Sequence, residues 1–227
     1  MFDMKIIARV RSGFDSKFGI PRQSGLAGTK ARIVFEPEYS YPDAFRGIEG
    51  YSHLWVLWGF SLTASEGWSA TVRPPRLGGN ERRGVFASRS PYRPNPIGLS
   101  SVRLERIEYT KTYGVVLHIS GGDMADGTPV FDIKPYLAYT DSHPDAASGF
   151  ADIGTAGLKV YFAEGTADAL PSELQKSVAD ILACDPRPGY IKDETRLYGM
   201  SYCGYEIKFR VRGDTLTVEQ IENARRR

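Results

Sequence analysis

Cysteine is scarce: Cys184 and Cys203 are the two that 227 residues carry. One pair cannot staple a chain of this length, so both are expected as free thiols in a reducing compartment. Long apolar runs are missing as well. The most hydrophobic stretch, residues 54–60, is far short of the roughly 20 residues a spanning helix needs, so no membrane association is expected. The N-terminus, Met1-Phe-Asp-Met-Lys5, lacks the basic, apolar and small-residue order of a secretory signal, and a cytoplasmic setting is the expectation. There is no Walker loop, no GxGxxG after a strand and no GxSxG elbow. The three histidines, His53, His118 and His143, lie far apart without partners at metal-ligand spacing, so no metal is expected.

What the chain has in plenty is glycine (24) and proline (14), spread from end to end. Such punctuation suits many short strands joined by turns. A hydrophobic share of 41% beside 25% charged residues belongs to a globular chain, not a disordered or fibrous one. The net charge of +2 conceals an asymmetry. Residues 1–106 hold 16 Lys+Arg against 9 Asp+Glu, and residues 107–227 hold 13 against 18, so the two halves carry +7 and −5. That split is compatible with a basic face able to meet phosphates.

Apolar alternation predicts strands over residues 4–10, 29–35, 51–60, 84–89, 99–106 and 115–119, with a short helical turn near 42–46. Strands at this spacing, with no helices alternating between them, predict a mainly β fold with a closed β-barrel over residues 1–145. Composition shifts near 146–149, and residues 146–227 read as a small α+β extension. It comprises a strand at 158–162, a helix and a hairpin of 204–211 with 214–221. The helix opens at Pro171 and sets Leu174, Val178, Ile181 and Leu182 on one face. Arg225–Arg227 read as a frayed end.

Three segments concentrate chemistry. Residues 72–100 carry six arginines (Arg73, Arg76, Arg82, Arg83, Arg89 and Arg93) and five prolines. Arg93 and Asn95 each precede a proline, which biases both backbones toward extended conformations. A stiffened, arginine-bearing loop is a preorganised anion site, because guanidinium forks match carboxylates and phosphates. Residues 121–136 hold Asp123, Asp126 and Asp132, with Lys134 and Tyr136, around the turn signal Asp126-Gly127. Three aspartates exceed what a turn requires. Residues 17–23 form an early Gly/Pro loop that ends in Arg22 and Gln23. His53 and His118, both within predicted strands, read as hydrogen-bonded structural residues.

Six motifs occur in order: Phe18-Gly-Ile-Pro-Arg-Gln23, Tyr51-Ser-His-Leu-Trp55, Arg73-Pro-Pro-Arg-Leu-Gly-Gly-Asn80, Gly84-Val-Phe-Ala-Ser-Arg89, Arg93-Pro-Asn-Pro-Ile-Gly98 and Asp126-Gly-Thr-Pro-Val-Phe-Asp-Ile-Lys-Pro-Tyr136. Together they resemble the TrmO (TsaA-like) family. The likeness is dense over residues 4–145 and looser through Asp185-Pro-Arg-Pro188, Tyr190 and Tyr198-Gly199. It implies an S-adenosylmethionine-dependent tRNA methyltransferase on a β-barrel. The implied reaction methylates N6 of threonylcarbamoyladenosine (t6A) beside the anticodon, and the implied assembly is a homodimer.

Carried over by position, the resemblance implies cofactor contacts at Pro21, Arg22, Gln23, Ser61, Leu62, Arg89 and Leu99, and at the turn Asp126, Gly127, Thr128 and Pro129. Many members carry histidine where this chain has Ser61. Arg22 or Arg89 would clamp the cofactor carboxylate, and Leu99 would wall its adenine. Asp126 or Asp132 would accept the proton of the target nitrogen, with Tyr136 orienting the base. Arg73, Arg76, Arg82, Arg83 and Arg93 would meet tRNA phosphates, and Tyr92 could stack on a splayed base. Two other functions fit the same residues: a non-catalytic RNA-binding barrel, and a methyltransferase that uses the same cofactor on another substrate.

Overall fold

Apolar residues at every second position give the strands of the first half one buried face. The computed structural model describes residues 3–63, 67–152, 157–188 and 193–224, apart from the side chains of Arg76 and Asp152. Tyr190 and Arg225–Arg227 lie outside the described residues. In Ala8–Ser12 (β1), Ala8 and Val10 point inward; in Lys30–Phe35 (β2), Ala31, Ile33 and Phe35 do. In His53–Gly59 (β3) the buried set is Leu54, Val56 and Trp58. A two-residue ribbon, Thr71–Val72 (β4) with Arg83–Gly84 (β5), pairs separately. Ile97–Thr110 (β6), Gly114–Ser120 (β7) and Pro129–Pro135 (β8) complete the first half. The six longer strands close into an antiparallel barrel in the order β1-β2-β7-β6-β3-β8. Closure leaves this sheet no free edge.

Antiparallel alternation sorts the connections between two ends. One end is closed by 3-10 turns between β2 and β3, where Phe45 seals edge-on against Phe35 with ring centroids 4.6 Å apart. The expected turn near 42–46 is among them, at Pro42–Phe45. The opposite end gathers the β1–β2, β3–β6 and β7–β8 connections, residues 13–29, 60–96 and 121–128. The three chemistry-bearing segments thus converge on one mouth.

After a one-turn helix, Ala138–Asp141 (α1), the second unit is built from Lys159–Phe162 (β9), Ser172–Ala183 (α2), Tyr198–Tyr202 (β10), Tyr205–Arg212 (β11) and Thr215–Asn223 (β12). Its sheet runs β10-β11-β12-β9, with β9 parallel to β12. The helix starts directly after Pro171 and buries Val178, Ile181 and Leu182 against Met200, Ile207, Phe209, Leu216 and Val218. This second core also takes in Phe14 and Ala27 from the β1–β2 connection. Hydrogen bonds join the same parts: Cys203 N–H donates to Gly13 O at 2.9 Å, and Ser177 Oγ donates to Gly28 O at 3.1 Å. Gly19, at φ +92°, sits so close that an added Cβ would stand 2.4 Å from Met200 Sδ, so only glycine fits there. The extension is therefore anchored to the mouth of the barrel. Both cysteines are free, and burial pushes both thiols up from the usual range.

Several elements differ from expectation. The strand read over 84–89 is confined to β5: beyond Gly84 the chain turns through a 3-10 segment, Val85–Ala87, because Val85 is buried and Ser88 N–H folds back to Val85 O. The first strand begins at Ala8, where pairing to both β2 and β8 becomes available, and not at residue 4. Three strands were not expected at all: the two-residue β4, β8 and β10. Proline at both ends of β8 and Gly199 within β10 weaken the alternation that marks a strand.

Candidate active site

A cavity of about 450 Å³ opens at the mouth where the three connections meet, a size typical of cofactor sites (~300–1,000 Å³). Trp58, Phe60, Leu62, Ile97 and Leu99 form an apolar wall, while Arg22, Gln23, Arg89, Arg93, Asp123 and Thr128 supply polar groups.

Local irregularity in the sheet creates the apolar wall. Between β3 and β8 the register steps from Leu57↔Asp132 to Trp58↔Val130, leaving Phe131 as an extra residue. A bulge of this kind bends the strand and re-aims a side chain, here at Trp58. Opposite Trp58 on β6 stands Gly98, where an added Cβ would lie 2.3 Å from indole Cε2. The indole therefore rests directly on bare backbone. Its Nε1–H donates to Ser100 Oγ at 2.9 Å, and Ser100 Oγ bonds Asp123 Oδ1 at 2.5 Å. An indole N–H can only donate, so the hydroxyl proton must point to the carboxylate, which fixes the direction of the chain. Burial pushes the Asp123 carboxyl above the usual carboxylate range, against the opposing pull of the Ser100 hydroxyl and Arg89.

The polar end is assembled from loops that brace one another. Arg89 Nη1 donates to Gln23 Oε1 at 2.5 Å, joining the β3–β6 connection to the β1–β2 connection. Arg22 Nη2 donates to Arg187 O at 3.1 Å and Asp185 O at 3.5 Å, reaching from the cavity rim to the second unit. Arg93 Nη1 donates to the carbonyls of Ser88 (3.0 Å) and Ser90 (3.4 Å) and so stiffens its own loop. Flanking the ribbon, Arg73 and Arg82 are exposed, and Arg82 is steadied by Thr71 Oγ1 at 2.8 Å. Arg83 pairs with Glu81 at 2.9 Å. The side chain of Arg76 lies outside the described residues.

The structure brings Pro21, Arg22, Gln23, Ser61, Leu62, Arg89, Leu99 and Thr128 into one lining. Asp126, Gly127, Pro129, Asp132 and Tyr136 do not line this cavity. Asp126 accepts from Ser12 N–H at 3.1 Å and pairs with Arg11 at 3.5 Å, so it ties the turn to β1. Asp132 pairs with Lys134 at 2.7 Å. Tyr136 packs on Trp55, ring centroids 5.5 Å apart, and Trp55 Nε1–H is held by Asp141 at 2.8 Å. Of the histidines, His53 bonds Ser52 Oγ at 2.9 Å and His118 bonds Glu108 at 2.6 Å. Sequence reasoning missed Trp55, Trp58, Phe60, Ile97 and Asp123 as lining residues. A signal was present for two of them: Trp58 sits at the end of an aromatic strand, and Asp123 was an aspartate in excess of the turn. Among the described residues, no group of three or more His, Cys, Asp or Glu is placed to hold a metal ion, and no helix is long and apolar enough to cross a membrane.

Residues 9–142 match the family model for the tRNA-methyltransferase O N-terminal domain, and residues 157–224 match that for the TrmO C-terminal domain. The chain belongs to the TrmO family. It is 43% identical over 220 residues to the tRNA (adenine(37)-N6)-methyltransferase of Escherichia coli strain K12, covering 92% of this chain and 93% of that protein. The enzyme of the same name from Eikenella corrodens is 46% identical over 172 residues, covering 75% of this chain and 97% of that protein. The fold matches the crystal structure of TrmO from Pseudomonas aeruginosa with a TM-score of 0.80 at 33% identity, covering 98% of this chain and 97% of that one. A TrmO barrel with its C-terminal domain accounts for both units.

Proposed function

We propose that this TrmO-family chain methylates N6 of a tRNA adenosine, and that the acceptor is threonylcarbamoyladenosine beside the anticodon, giving m6t6A. The observation that carries this reading is the cavity, in which residues of five of the six family motifs meet and whose lining combines apolar side chains with arginines. That donor set suits S-adenosylmethionine: Leu62, Ile97 and Leu99 offer an apolar surface for adenine, and Arg89 with Arg22 offers guanidinium groups for a carboxylate. When bound, this cofactor supplies a methyl group activated on a sulfonium.

The residues present then have three tasks. Arg89 and Arg22 fix the polar end, and Pro21, Gln23, Ser61 and Thr128 contribute contacts along the rim. Asp126, Gly127 and Pro129 shape the turn that presents Thr128. The wall of Trp58 and Phe60 keeps water from the reacting centre and holds donor and acceptor in line, an effect worth up to ~7–11 kcal/mol of the barrier. Arg73 and Arg82 flanking the exposed ribbon, with Arg76 and Arg83, meet phosphates of the anticodon loop, which makes binding salt-dependent. The same reading has the chain work as a homodimer in the cytoplasm.

Calorimetric titration with S-adenosylmethionine tests the cofactor half of this proposal. Heat of binding with a matching rise in unfolding temperature is the expected result. Neither heat nor thermal shift would leave a non-catalytic RNA-binding barrel as the better account.

A further inference from the structure

We propose that Asp123 takes the proton from N6 of the target adenosine, and that Trp58 and Ser100 are positioning residues that hold its carboxylate as an acceptor. The proposal rests on the function proposed above. Its starting point is chemical. The nitrogen of a carbamoylated adenine shares its lone pair with a carbonyl, so it is a poor nucleophile until its N–H proton is drawn away.

Among the described residues lining the cavity, Asp123 is the one carboxylate. Asp126 and Asp132, each ion-paired to its own cation, lie off the lining. The other charged groups that line the cavity are Lys17, Arg22, Arg89 and Arg93, all cations, and the charge of Arg89 acts on Asp123. Ser100 on β6 donates its hydroxyl proton to Asp123 Oδ1 at 2.5 Å. A carboxylate offers about four acceptor positions, so room remains for the N6–H of a bound base. Trp58 Nε1–H, bonded to Ser100 Oγ, prevents the hydroxyl from turning round. Burial raises the affinity of Asp123 for a proton, which moves a carboxylate toward the range useful to a general base.

The step balances. Nitrogen forms its bond to the methyl carbon as the bond from that carbon to sulfur breaks, and the electron pair of that bond stays on sulfur, which becomes a neutral thioether. The N6 proton passes to Asp123, whose carboxylate becomes a neutral acid and later returns the proton to solvent.

The test compares wild type, Asp123→Asn and Ser100→Ala, with cofactor binding read by calorimetry. Single-turnover methyl transfer to tRNA is followed between about pH 5 and 9. Asp123→Asn is expected to bind S-adenosylmethionine within about threefold of wild type but to transfer methyl roughly 10²–10⁴-fold more slowly. Wild-type rate should climb with pH to a plateau, and the Asn variant should be flat. Ser100→Ala removes a bond that favours the anion, so its midpoint should move up while the plateau is kept. Transfer by Asp123→Asn at close to wild-type rate would overturn the proposal. So would lost cofactor binding with transfer restored at saturating cofactor, which would make Asp123 a cofactor ligand. If Asp123→Asn does not fold, an unmoved midpoint in Ser100→Ala overturns the proposal and a raised one supports it. The substrate reading fails separately: wild type would then methylate tRNA regardless of the threonylcarbamoyl group, and the same comparison could be made on that adenine.

Discussion

Replacing Gly98 by alanine probes the joint on which the cavity wall depends. The new methyl would stand 2.3, 2.5 and 2.7 Å from Cε2, Cζ2 and Cδ2 of Trp58, where carbon atoms prefer ~3.5–4.0 Å. The indole must therefore retreat by about 1 Å, a correction that no small rotation supplies. Phe60 packs against the indole, with ring centroids 4.4 Å apart, and limits that retreat. Overpacking of this kind costs ~1–3 kcal/mol, and losing the Trp58–Ser100 bond adds ~0.5–1.5 kcal/mol. For a chain of this size the sum lowers the unfolding temperature by roughly 5–15 °C. Scanning calorimetry measures it, and Trp58→Leu in the same background should recover part of the loss because it vacates the space. Since the indole also forms the wall, affinity for S-adenosylmethionine should fall in parallel. A Gly98→Ala protein that unfolds with wild type and binds the cofactor equally well would refute the packing argument.

Arg89→Ala should weaken S-adenosylmethionine binding by ~1.5–3 kcal/mol, about 10–150-fold, in a calorimetric titration; unchanged affinity rejects a carboxylate clamp at this position. Arg82→Ala and Arg73→Ala should each flatten the logarithmic salt dependence of tRNA binding by ~0.7–0.9 per phosphate contact removed, while cofactor affinity stays put. Asp123→Asn carries a stability signature as well. A carboxyl raised in the folded state contributes stability below its unfolded pKa and loses it as pH climbs through the folded one. The asparagine variant should therefore gain on wild type in unfolding temperature as pH rises from about 4 to 7. A constant difference across that range would contradict the sign.

The barrel was legible because its strands alternate. Residues 29–35 and 115–119 bury every second side chain or more, as β2 and β7 do. What closes the barrel was not. In β8 the alternation is broken by the extra residue Phe131 at the bulge and by proline at both ends, so Val130 and Ile133 do not fall two positions apart. The helix of the extension was read from Pro171 and its apolar face, both local properties. The site divides in the same way. Loops stiffened by proline and glycine announce themselves, and Arg22, Gln23 and Arg89 are found where such loops meet. The Trp58–Ser100–Asp123 chain does not announce itself. It depends on the pairing of Trp58 with Gly98 and on one bulge, and neither register is a property of the residues taken one at a time.

The most direct test of the central claim is methyl transfer from labelled S-adenosylmethionine to two tRNA preparations, one carrying the threonylcarbamoyl group beside the anticodon and one lacking it. Label should enter the modified tRNA alone and appear as m6t6A after digestion to nucleosides. Equal incorporation into both tRNAs would contradict the assigned substrate, and none into either would contradict the reaction.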